Sequence, residues 1–132
     1  MPTDVMKALS QAAQGLLYPS ETDAPFEPFS WPIGKCKLTP ALVRQLGEHE
    51  AREPVQEISL ADFFKDLTEE QDWHGKQERA AVKKFRALER TIGELLPDAK
   101  VIRVGTTEIT IYIAGKTAEG NCVGLKTRAV ET

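Results

Sequence analysis

The residues best placed to do chemistry lie in the segment 15–31, GLLYPSETDAPFEPFSW, which holds Glu21, Asp23 and Glu27 and neither Lys nor Arg. Pro19, Pro25 and Pro28 exclude a helix there and stiffen the backbone. A carboxylate on a proline-braced loop, flanked by large apolar residues, can be presented to a cation carried by another molecule. The plainer alternative is a solvated surface acid, the commoner fate of a single loop carboxylate. At the other end, TAEGNCVGLKTRAVET reads as a strand that runs almost to the last residue. The hydroxyl and terminal carboxylate of Thr132 are then expected on a short tether beside a sheet.

Other motifs fail on spacing. Gly115-Lys116-Thr117 resembles the end of a phosphate-binding loop, but Thr110 stands where the first glycine is required, and a strand follows where a helix is needed. His49 and His74 have no partners at metal-ligand spacing, nor do Cys36 and Cys122. Asp72-Trp73-His74 places an acid next to a histidine, yet adjacent residues point in different directions. No nucleophile with an evident base stands out. A non-enzyme with no cofactor is the expectation.

The balance of 41% hydrophobic and 28% charged residues in 132 is that of a soluble globular chain, the size of one domain, and a single domain over 1–132 is expected. No apolar run spans a bilayer, and MPTDVMKALSQAAQ lacks the pattern of a secretory signal. Two free cysteines and a cytoplasmic location follow as expectations. Residues 1–73 hold six Lys/Arg against thirteen Asp/Glu, a balance of −7, while residues 74–132 hold eleven against seven, +4. The acidic half argues against direct binding to nucleic acid and for attraction to a basic protein groove.

The elements that position these residues can be read from periodicity. A first helix is expected over Asp4–Gln14, capped by Thr3, with Val5, Leu9, Ala12 and Leu16 on one stripe and Gly15 as its stop. Phe26–Trp31 reads as a half-buried edge strand because of its prolines. Gly34–Pro54 is the least legible stretch, although Thr39-Pro40 starts a short helix to Leu46. Val55–Ile58 is a strand. Ser59 with Asp62 starts a short helix near Leu60, and Thr68 with Gln71 repeats that capping pattern. The main helix is expected over Gln77–Leu96, with Gly75 interrupting its approach and Pro97 ending it. Lys83, Lys84, Arg86 and Arg90 lie mostly away from its apolar face, as on a solvated helix surface. Val101–Val104, Glu108–Ala114 and Cys122–Val130 form a three-stranded meander, with Ile109, Ile111 and Ile113 on its one buried face. The fold class is therefore α+β: an antiparallel sheet, made of this meander and short N-terminal strands, layered with helices.

GLLYPSE, Pro25-Phe26-Glu27 before Trp31, Phe63-Phe64, Gln71-Asp72-Trp73, Lys84-Phe85, Thr117-Ala118-Glu119-Gly120-Asn121 and a final VET occur in order. Together they resemble the nuclease A inhibitor family of small bacterial proteins, from Leu9 onward except for a poor match over about Pro32–Arg52. The resemblance implies a protein inhibitor of a metal-dependent, sugar-non-specific DNA/RNA nuclease. It implies that Glu21 and Thr132 approach the partner's Mg²⁺ and that Gln71, Asp72 and Trp73 lie on the contact surface. The free protein needs no metal of its own and is expected to be a monomer that binds no membrane. The rival reading is a non-inhibitory binding or scaffold domain of the same fold with a different partner.

Overall fold

The computed structural model of the chain describes residues 2–18, 23–69, 75–117 and 120–131. Four helices, α1 (Pro2–Ala13), α2 (Pro40–Leu46), α3 (Leu60–Thr68) and α4 (Lys76–Leu95), accompany seven strands, β1 (Leu17–Tyr18), β2 (Ala24–Pro25), β3 (Glu27–Pro32), β4 (Val55–Ser59), β5 (Lys100–Val104), β6 (Glu108–Lys116) and β7 (Asn121–Val130). β1 and β2 form a small antiparallel pair. The other five strands make one antiparallel sheet in the order β3-β7-β6-β5-β4. The fold class is α+β. No helix of the described residues is long and apolar enough to cross a membrane.

Most helix boundaries follow local chemistry. Thr39 accepts from the Leu42 N–H at 3.2 Å and Pro40 takes the first helical position of α2. Ser59 caps α3 by accepting from the Asp62 N–H at 3.0 Å. Gly75 begins α4, and its N–H donates to the Glu78 carboxylate at 3.1 Å. Two expectations are corrected. α1 starts at Pro2, so Thr3 lies inside the helix rather than capping it; proline's fixed φ suits the first turn. Thr68 starts no new helix. It closes α3, its hydroxyl donating back to the Phe64 carbonyl at 2.8 Å, and Glu69 is already extended. The β1–β2 pair was not expected either, because two-residue strands leave no periodicity to read.

The sheet also differs from the expectation of one buried face. Ile109, Ile111 and Ile113 of β6, with Val123 and Leu125 of β7 and Val101 of β5, face α1, α3 and α4, where Leu9, Phe64, Leu88 and Ile92 are fully buried. The opposite face is covered too. Tyr112, Ala114, Cys122, Ile102 and Val104 lie beneath Val43 of α2 and the Ile33–Leu38 segment, with Phe29 and Trp31 at the margin. Alternation on β6 marked Tyr112 as the outward residue. What buries it lies in Gly34–Pro54, the stretch with the weakest pattern. Each large apolar side chain so buried contributes about 1.5–3 kcal/mol.

The sheet has two distinct ends. Ser59, Lys100, Ala114 and Gly124 lie abreast near one, and Val55, Val104, Thr110 and Arg128 near the other. α3 leaves from the first end. α4 returns to it, where Leu96 packs on Gly115 so closely that a Cβ there would come within 2.8 Å of the leucine. Twenty helical residues span about 30 Å.

Candidate functional site

The second end of the sheet gathers the flanks of Glu21 and Thr132. β1 and β2 pair Leu17 with Pro25 and Tyr18 with Ala24. The Ala24 carbonyl accepts from the Thr127 hydroxyl of β7 at 3.3 Å, and Tyr18 stacks on Phe63 of α3 with ring centres 5.3 Å apart. Both stems of residues 19–22 are thus tied to the domain. Glu21 itself lies outside the described residues, as do Gln71, Asp72, Trp73 and Thr132.

The chain is held firmly up to the residue before Thr132. The Glu131 N–H donates to the Thr107 carbonyl at 2.9 Å, in the turn between β5 and β6. Arg103 Nη2 donates to Glu131 Oε2 at 2.6 Å, with the arginine side chain 22% and the glutamate 51% exposed. Ala24, just past the first loop, and Val130, just before the chain end, line a single cleft of about 470 Å³ with His49, Glu53, Glu108, Thr110 and Arg128. The segment flanking residues 70–74 does not line this cleft.

One wall of the cleft comes from the stretch that sequence reasoning could not interpret. Gly47 and Glu48 end α2: the Gly47 N–H bonds to the Val43 carbonyl at 2.9 Å and the His49 N–H to the Arg44 carbonyl at 3.0 Å. Glu48 takes the left-handed conformation, φ +62°, usually filled by glycine. This turn delivers His49 to the sheet. Its Nε2 lies 2.7 Å from the Tyr112 hydroxyl and its Nδ1 3.1 Å from Glu53 Oε2. A Cβ on Gly47 would collide with that hydroxyl.

Electrostatics fixes the state of the phenol. Burial pushes the Tyr112 phenol up to about 12, with nearby Arg128 opposing and Glu53 reinforcing the shift. The phenol therefore stays neutral, and His49 links it to the Glu53 carboxylate through its two ring nitrogens. A histidine–carboxylate pair can act as a base only through a free second nitrogen. Here that nitrogen is occupied by a buried phenol, so the trio fastens the loop to the sheet rather than offering a base. The sequence carried a weak sign of it: His49 and Glu53 are four apart, and Tyr112 is the lone polar-tipped aromatic among the isoleucines of β6.

Both cysteines are free, Cys36 exposed and Cys122 buried. Burial raises the Cys122 thiol to about 12, which keeps it protonated and unreactive. Among the described residues no group of three or more His, Cys, Asp or Glu could hold a metal ion.

Compared with known families, residues 3–132 match the model of the nuclease A inhibitor-like protein family. No curated protein gives a significant match. A match over nearly the whole chain, on an α+β fold, is decisive for membership: the chain belongs to the nuclease A inhibitor-like family.

Proposed function

We propose that this protein inhibits a metal-dependent, sugar-non-specific nuclease by blocking its Mg²⁺-containing active site with the acidic loop around Glu21 and with Thr132. Mg²⁺ takes hard oxygen ligands and keeps several waters, so a metal held by few protein groups leaves positions for phosphate oxygens. A carboxylate from another protein can enter such a shell. It offers no bond for the nuclease to cleave and excludes the substrate. Glu21 supplies that carboxylate, Thr132 a second oxygen nearby, and Gln71, Asp72 and Trp73 add contact area, Trp73 as an aromatic anchor.

The observation that carries this reading, beside the family, is that Ala24 and Val130 share one cleft wall while Glu131 is fixed by a backbone hydrogen bond and an ion pair. Two loops that must enter one metal site need anchored stems close to each other, and these have them. Preorganised loops bind without a large ordering cost. The Mg²⁺ belongs to the partner nuclease, and in this reading the inhibitor needs no cofactor of its own.

The test is a titration. A purified nuclease of the nuclease A type, at fixed concentration with Mg²⁺ and plasmid DNA, is mixed with increasing amounts of this protein. Loss of cleavage that is complete near one equivalent supports the proposal. Full cleavage at a large excess of correctly folded protein refutes it and favours a binding domain with another partner.

A further inference from the structure

The solvent side of α4 carries a ridge of cations that the inhibitory role does not use. Lys76, Arg79, Lys83, Arg86 and Arg90 are spaced 3, 4, 3 and 4 residues apart, which places all five on one face of the helix. All five are exposed, and this face points directly away from the one that buries Phe85, Leu88 and Ile92. The ridge runs about 21 Å along the axis. Glu94 lies on the same face one turn beyond Arg90 and ends the ridge, Glu78 and Glu89 lie off to one side, and no ion pair joins any of the three to the five cations. Arg86 Nε donates to the Thr68 carbonyl at 2.9 Å, and no salt bridge joins any of the five to a described residue.

This arrangement works against the helix. Each successive pair on the ridge sets like charges at helical-neighbour spacing, which costs a few tenths of a kcal/mol per pair. Lys76 and Arg79 also stand in the first turn, where the helix dipole disfavours cations. A helix selected for solubility alone does better with interspersed acids. A row of cations with no ion pair to a described residue, at this spacing, suits a linear polyanion instead.

We propose that the α4 ridge binds the phosphate backbone of a nucleic acid strand. A ridge of about 21 Å is long enough to meet several phosphates of a flexible strand, each carrying one negative charge. Three of the five cations are arginines, whose planar guanidinium matches phosphate oxygens two at a time. An anionic membrane fits less well, because a surface-lying helix inserts its apolar face and that of α4 is already in the core. The net charge of −3 does not oppose a local contact, since charges beyond about 8–10 Å are screened at physiological salt. The proposal is independent of nuclease inhibition, and its test contains no nuclease.

Fluorescence anisotropy with a labelled single-stranded DNA 20-mer, at 20 and 150 mM salt, reads it directly. Three proteins are compared: wild type, Arg79→Gln/Lys83→Gln/Arg90→Gln, and the control Lys7→Gln/Lys35→Gln/Lys37→Gln, which makes the same change of net charge at exposed positions elsewhere. Arg86 is spared because it holds Thr68. Wild type is expected to bind at low salt and weaken steeply by 150 mM. The ridge variant should bind at least tenfold more weakly, with a salt slope shallower by about two, and the control should stay within twofold of wild type. Circular dichroism confirms that all three are folded. No binding by wild type at 100 µM and 20 mM salt, or equal losses in both variants, overturns the proposal. So does ridge-dependent binding to phosphatidylserine vesicles without binding to DNA.

Discussion

Arg103 Nη2 and Glu131 Oε2 lie 2.6 Å apart, joining the C-terminal part of β5 to the last described residue of the chain. A charge pair this exposed contributes little to stability. Its consequence is positional, because it aims the chain end past the turn at Thr107.

Glu131→Ala is therefore expected to lower stability by no more than about 1 kcal/mol and to weaken nuclease inhibition about tenfold, by letting Thr132 wander. A C-terminal tag should weaken inhibition at least as much, and an N-terminal tag should not. Denaturant unfolding and inhibition titrations on the same preparations check both effects. Equal potency of all constructs would show that the terminus takes no part.

The Tyr112–His49 link predicts an alkaline transition. The phenol ionises near 10 when unfolded and near 12 in the native protein, so its contribution is complete below pH 10 and is lost as pH rises to 12. The buried Cys122 thiol acts in the same direction from about 9 to about 12. Urea midpoints should hold up to about pH 9 and fall steadily above it. Tyr112→Phe should lose about 1–2 kcal/mol at neutral pH, since His49 Nε2 loses its hydrogen-bond partner, and should show a shallower alkaline decline. A wild-type midpoint unchanged from pH 8 to pH 11.5 would contradict the assignment.

Glu48 is a non-glycine residue at a position suited to glycine, with φ +62°. Glu48→Gly relieves that strain at some cost in unfolded-state entropy. A net stabilisation of about 0.5 kcal/mol is expected, measured by urea unfolding, with the His49–Tyr112 contact preserved.

Where chemistry was local, the sequence was legible. Thr39-Pro40, Ser59 with Asp62, and the alternation of Ile109, Ile111 and Ile113 each state their structure within a few residues, and the helices and meander follow them. The β1–β2 pair was not legible, because two-residue strands leave no periodicity and the bond that ties Ala24 to the sheet comes from Thr127, about a hundred residues away. The second covered face was not legible either. Tyr112 looks outward by alternation, and only the turn through Gly47 and Glu48 brings His49 to cover its hydroxyl. Of the site, Glu21, Gln71, Asp72, Trp73 and Thr132 rest on the family resemblance. The structure adds their anchored flanks and a cleft wall, His49 and Glu53, which no short-range pattern announced.

The central claim is that a carboxylate from this protein meets the nuclease's metal, and Glu21→Gln tests it most directly. The substitution keeps size and hydrogen-bonding capacity but removes the charge that a Mg²⁺ ligand needs. In inhibition titrations with Mg²⁺ present, the account predicts a loss of about 2–5 kcal/mol in binding, with unfolding stability unchanged within about 0.5 kcal/mol. A folded Glu21→Gln protein that inhibits as tightly as wild type would contradict it.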